Sequence, residues 1–218
     1  MTPAELRAAL RSVLAEVLGP GDVAHDLAHA DRVWVNARTI AMGEGMQPSA
    51  ALMAATYLHD LVAVPKDHPD RARAATQSAT TAGPIMEALG LSAREIAIAR
   101  HAIEAHSFSS ATEPLFAEAR VLRDADRLEA MGAVGIARCF AVSGALGRAL
   151  FAPDDPFARV RTADDGTFAL DHFQVKLMRL PETMLTATGR RMAEERADTM
   201  RRYLADLAQE LHVPAPDW

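Results

Sequence analysis

Apolar positions recur along this chain at intervals of three and four residues, in stretches separated by glycine, proline or short polar runs, which predicts a series of helices. Leu6, Leu10, Val13, Leu14 and Val17 make one apolar face of a helix from about Pro3 to Leu18, with Thr2 as its cap and Gly19-Pro20 as its stop. A second helix is expected from about Asp22 to the Gly43–Gly45 break, with Val33, Ala37, Ile40 and Ala41 toward the core. A third begins near Pro48-Ser49 and runs through ALMAATYLHDLVAV. It is apolar on nearly every side, the signature of a central buried helix. A fourth spans about Arg71 to Leu89 and stops at Gly90. Ser92, with Glu95 three residues on, predicts a capping box opening a fifth, whose apolar side is Ile96, Ala99 and Ile103. From about Pro114 a sixth carries Leu115, Ala119, Leu122, Ala125 and Leu128. The small residues from Ala130 to Arg148 predict a closely packed helix or helix pair. Phe151 to Thr167, dense in Pro, Asp and Gly, reads as a loop, either a mobile lid or an exposed connection. A helix resumes at about Leu170, a last one runs from about Thr183 to Leu211, and the tail VPAPDW is expected to fray.

Polar residues that break this pattern are the candidates for chemistry. His25, His29, Arg32 and Asn36 fall at i, i+4, i+7 and i+11, so they share one helical face, which is either surface or a polar cleft. His59-Asp60 closes the apolar third helix, where an ionised carboxylate requires a partner. Imidazole nitrogen beside carboxylate oxygen suits a divalent transition metal such as Zn, Mn, Fe or Ni. The polar loop that follows brings Lys66, which could meet a phosphate, and His68, which could ligate or carry a proton; a plain solvated loop is the alternative. His101 and His106 are five apart and do not share a face; His106 is the better candidate, because it closes its helix before a polar loop. Asp124 and Asp126 point about 200° apart on a helix, so only one enters a cleft, and the pattern does not choose between them. His172, Lys176 and Arg179 form a basic stripe at i, i+4 and i+7, read as phosphate contacts or an ordinary solvated face.

Taken in order, His29, His59-Asp60 and Asp126 resemble the H…HD…D signature of the HD-domain superfamily of metal-dependent phosphohydrolases. The resemblance selects Asp126 over Asp124, since the family's distal ligand precedes Arg-Leu, here Arg127-Leu128. It is tightest with the bacterial YedJ/YpgQ subgroup, through HDxxHxxRVxxNA, LHD, HSFS, DADRLEAMGAVGIAR, HFxxKL and LTATGRRMAEER, which cover about His25 to Arg196. It implies an all-α fold, an HD-domain helical bundle with a C-terminal helical extension. Residues 1–218 would form one HD domain, with a metal-binding core over about 22–130 and the extension over about 131–218. One divalent ion (Mn, Ni, Fe, Zn, Co or Mg) would be held by His29, His59, Asp60 and Asp126. Binuclear members carry two more histidines before the last Asp; His106 matches the second, but no His stands between Arg73 and Ala79, and His68 is the one local substitute. Asp60, His106 and His25 would serve catalysis, and Arg32, Lys66, Arg127, His172 and Lys176 would meet the substrate. The implied activity is phosphohydrolysis of nucleotides, with pyrophosphate released from nucleoside triphosphates. Phosphate release from nucleoside monophosphates is the alternative within the class, and a non-catalytic nucleotide- or metal-binding regulator the alternative outside it.

Bulk composition narrows the setting. With 218 residues, half of them hydrophobic, the chain has material for a sizeable core. A formal net charge of −6 argues against a broad nucleic-acid surface. It leaves room for an anionic small substrate, because an ion and a few cations can dominate a cleft. The single cysteine, Cys139, excludes an internal disulfide, fits a reducing cytoplasm, and reads as a buried small hydrophobe. The charged N-terminus and the short apolar runs predict neither a signal peptide nor a membrane partner. Self-association is left open.

Overall fold

Capping side chains set where most of the helices begin. Thr2, Asp26, Ser49, Ser92 and Thr186 each accept a hydrogen bond from a backbone N–H three residues on. Glu5 and Glu95 complete capping boxes by accepting from the N–H of Thr2 and Ser92. Such caps satisfy donors that a helix cannot pair internally and contribute ~1 kcal/mol each. The computed structural model describes residues 1–18, 26–62, 73–107 and 111–218. Its helices are α1 (Pro3–Val17), α2 (Leu27–Gly43), α3 (Ala50–Leu58), α4 (Ala74–Ala88), α5 (Ala93–His106), α6 (Ala117–Arg127), α7 (Gly132–Ala145), α8 (Asp171–Val175) and α9 (Ala187–Glu210). Among the described residues there is no strand, only one isolated bridge between Ala149 and Phe168. The architecture is all-α, as expected. No single described helix is long and apolar enough to cross a membrane.

The chain divides into two compact units, Met1–Asp126 and Arg127–Trp218. In the first, α3 is the centre: every residue from Ala51 to Leu58 is buried, and α1, α2, α4 and α5 pack around it. Burial of Leu52 or Leu58, both fully covered, stabilises the unit by about 2 kcal/mol each. Several boundaries differ from expectation, and α3 ends at Leu58 rather than running on past Asp60. Asp26 caps α2, so that helix begins at Leu27 rather than near Asp22. The sixth helix begins at Ala117, because the preceding segment is engaged elsewhere: Arg120 donates to the carbonyls of Pro114 and Leu115, and Leu115 N–H donates to His101 Nε2 at 3.1 Å. Leu115 is exposed as a result, as is Val17 at the end of α1.

In the second unit a 3₁₀ turn at Leu128–Ala130 leads into α7, and α9 packs along α7. Gly135 is obligatory here, since a Cβ on it would lie 2.3 Å from the backbone of Ala130. Phe140, Phe173 and Tyr203 pack their rings with centroids 6.0–6.1 Å apart between α7, α8 and α9. The stretch between α7 and α8 is held by contacts of its own. Asp155 accepts from three backbone N–H groups, those of Arg159, Val160 and Arg161, at 2.9–3.1 Å. Arg161 makes two 2.6 Å bonds to the buried Asp171, and Phe157 is buried inside the loop. The tail is docked rather than frayed: Trp218 Nε1 reaches the Phe157 carbonyl at 3.4 Å, and Arg159 reaches that of Ala215. The basic stripe fails as a helical face. The backbone leaves the helix at Lys176 (φ −134°, ψ −58°) and continues as a 3₁₀ segment, Leu177–Thr183, which accommodates Pro181. The last helix starts at Ala187, four residues later than expected.

Candidate metal centre

Four helices of the first unit bring side chains to one point. His29 stands at the third position of α2, where its own N–H donates to the Asp26 cap at 2.7 Å. His59 and Asp60 follow the last residue of α3, His106 ends α5, and Asp126 lies in the last turn of α6. The three imidazoles are buried, whereas the side chains of Asp60 and Asp126 remain 35% and 30% exposed, so the cluster opens to solvent on its carboxylate side.

The separations are those of a shared ligand shell. His59 Nε2 lies 3.1 Å from Asp60 Oδ2 and 3.8 Å from Asp126 Oδ1. His29 Nε2 lies 3.6 Å from Asp126 Oδ1 and 4.0 Å from Asp60 Oδ2. His106 Nε2 lies 3.6 Å from Asp60 Oδ1. Donors bound to one ion at about 2.1 Å stand from about 3 Å apart, at neighbouring octahedral positions, to about 4.2 Å apart, at opposite ones. Two overlapping sets fit a metal, His29 with His59 and Asp126, and His59 with Asp60 and His106.

Tautomers favour the same reading. His59 Nδ1 is 2.8 Å from the Thr56 carbonyl, and His106 Nδ1 is 2.5 Å from that of Ile103. A carbonyl only accepts, so each Nδ1 carries the hydrogen and each neutral ring turns the lone pair of Nε2 into the cluster. His59 Nε2 is buried and makes no hydrogen bond of good geometry there, the condition of a donor atom suited to an ion. Burial alone would push the His59 imidazole down, but Asp60 and then Asp126 outweigh it and hold it at about 9. Burial would raise Asp60 and Asp126; the histidines win and hold both below the usual carboxylate range. Without a metal, a proton on His59 therefore supplies the positive charge that two adjoining carboxylates require.

The remaining expected residues fall out differently. Arg32 lies one turn beyond His29 on α2 and is half-buried. His25, Lys66 and His68 lie outside the described residues. His101 is engaged with Leu115 and edge-on to Phe116, away from the cluster. Arg127 is buried in the second unit, where Nη1 donates to the Thr183 carbonyl at 2.8 Å. His172 pairs with Asp165 at 2.7 Å, and Lys176 sits at the helix break. Asp124 is fully buried, so both aspartates are inward, but only Asp126 joins the histidines.

Sequence reasoning missed a supporting network. Tyr57 OH and Arg7 Nη2 both donate to Asp31 Oδ1 (2.8 and 2.9 Å), Arg7 Nε donates to the Tyr57 oxygen (2.7 Å), and Arg11 pairs with Asp31 Oδ2 at 3.0 Å. Burial pushes the Tyr57 hydroxyl up to about 12, so it stays protonated as a donor. Asp31 and Tyr57 each lie two residues from a cluster histidine, and α1 thereby braces both ligand-bearing helices. No local signal links positions 24 and 50 residues apart.

Comparison with known proteins agrees with this centre. Residues 26–131, which include all five clustered side chains, match the HD domain family. The YpgQ protein of Bacillus subtilis is 32% identical over 209 residues, covering 93% of this chain and 92% of YpgQ. A crystal structure of that YpgQ in complex with ADP superposes with a TM-score of 0.74 at 32% identity, covering 96% of this chain and 97% of the other. An HD-superfamily hydrolase from Bacillus thuringiensis gives 0.74 at 26% identity, with 98% and 100% covered. The sequence match over the centre and the full-length likeness to YpgQ establish that this chain belongs to the HD domain family.

Proposed function

We propose that this protein is a divalent-metal-dependent phosphohydrolase of nucleotides that releases pyrophosphate from nucleoside triphosphates. The observation that carries it is the convergence of three histidine Nε2 atoms on the carboxylates of Asp60 and Asp126. The ADP complex of YpgQ supports a nucleotide as the ligand class.

His29, His59, Asp60 and Asp126 would hold one divalent ion (Mn, Ni, Fe, Zn, Co or Mg). When bound, such an ion supplies Lewis-acid polarisation of a phosphoryl oxygen and acidifies water. Asp60 and Asp126 stay ionised and draw positive charge to the centre, and the buried imidazoles back it on the protein side. His106 holds or moves a proton at Nε2 alone, because Nδ1 is committed to Ile103. Arg32, on the α2 face that carries His29, is the described cation assigned to phosphate charge; Lys66 and His25 complete the proposed set, for phosphate contact and proton transfer.

The test is phosphorus NMR of the products from nucleoside tri-, di- and monophosphates with Mn supplied. Pyrophosphate from triphosphates is expected. Orthophosphate from monophosphates would reassign the reaction, and tight nucleotide binding without turnover would make the protein a regulator.

A further inference from the structure

We propose that Asn36 is a positioning residue that sets where Asp126 stands among the metal-binding histidines. This rests on reading His29, His59, Asp60 and Asp126 as ligands of one ion. Asn36 lies two helical turns past His29 on the same face of α2 and is 4% exposed. Its Nδ2 donates to the carbonyl of Ala125 at 3.3 Å, across 89 residues of sequence. Ala125 is fully buried and immediately precedes Asp126, in the last turn of α6 before the chain passes into the 3₁₀ turn at Leu128–Ala130. The bond therefore joins the C-terminal end of α6 to a side chain from the helix that carries His29. It ties the two backbones beside the 3.6 Å contact of His29 Nε2 with Asp126 Oδ1. A slide of α6 by one residue, about 1.5 Å, would take Asp126 out of the shared shell. Asparagine is a poor helix former, so its place inside α2 is not explained by helix propensity, and the long-range bond gives it a use there.

The experiment compares wild type with Asn36→Leu, which keeps the branched outline and removes the donor, by Co(II) titration. Affinity is read by chelator competition and ligand geometry by the visible absorption of the bound Co(II). Thermal melting in EDTA runs alongside. Expected for the folded variant is Co(II) affinity weaker by about tenfold or more, together with an altered visible spectrum, as when other partners that orient metal ligands are removed. Should Asn36→Leu fail to fold, Asn36→Ala, which leaves a space rather than a clash, carries the same expectation. A lower melting temperature with wild-type Co(II) affinity and spectrum would mean a purely structural role and overturn the inference. Failure of the wild type itself to bind Co(II) would instead refute the ligand assignment on which it rests.

Discussion

Raising the pH of the chelator-treated protein from below 6.5 to above 9 should remove a definable part of its stability. His59 is held at about 9 against an ordinary 6.5. At about 1.4 kcal/mol per pH unit, that displacement corresponds to about 3 kcal/mol. Because the folded value lies above the unfolded one, the contribution is fully present below about pH 6.5 and is lost as pH rises through about 9. Asp60 and Asp126 are displaced downward, so their contribution is present above the ordinary 3.8 and fades as pH falls. These are two ends of one pairing and do not add. The assay is urea unfolding in EDTA across that range, for wild type and Asp60→Asn. A fall of about 3 kcal/mol is expected for wild type and a flatter profile for Asp60→Asn, which removes the carboxylate that does most to raise His59. An unchanged slope in Asp60→Asn would refute the reasoning, as would a flat wild-type profile.

Other perturbations probe separate parts of the molecule. Asp60→Asn and Asp126→Asn should each emerge from desalting without the divalent ion that the wild type retains, by elemental analysis; full metal content in both would sink the ligand assignment. Arg161→Met leaves the buried Asp171 without its bidentate partner and should cost about 3 kcal/mol in urea unfolding, with part of the loss restored when Asp171 is also made apolar. Gly135→Ala drives a Cβ against the Ala130 backbone, so a loss of about 3 kcal/mol or more is expected, at the upper end of overpacking effects; a melting temperature equal to wild type would contradict the close approach. Tyr57→Phe removes one donor from a network whose Arg7–Asp31 pair survives, so about 1 kcal/mol is expected by chemical denaturation.

Much of the centre was legible because its residues sit where helices end, and helix ends are written locally. Ser49 and Ser92 mark the starts of α3 and α5, whose far ends deliver His59 and His106. Spacing alone did not separate Asp126 from Asp124, because a buried helix accepts both; the family resemblance did. The stripe His172, Lys176 and Arg179 misled because periodicity assumes an unbroken helix, and the break at Lys176 is tied to Pro181, five residues on. The Arg7–Asp31–Tyr57 network and the Asn36–Ala125 bond were invisible for a different reason. They join positions far apart in sequence, and a polar helical face carries no mark of the distant group that each residue on it meets.

Each of the two Nδ1 bonds described above joins a histidine to a carbonyl three residues back in its own chain, at the terminus of α3 or α5. One interaction thus closes a helix end and aims an Nε2 atom into the cluster. At α3, fraying of the last turn and loss of the aim of His59 become the same event, so release of an ion held as proposed need not wait for the two carboxylates to move apart. Amide exchange at the end of α3 would then gauge how long such an ion stays. A substitution that loosens this terminus should shorten that residence time without touching any proposed ligand.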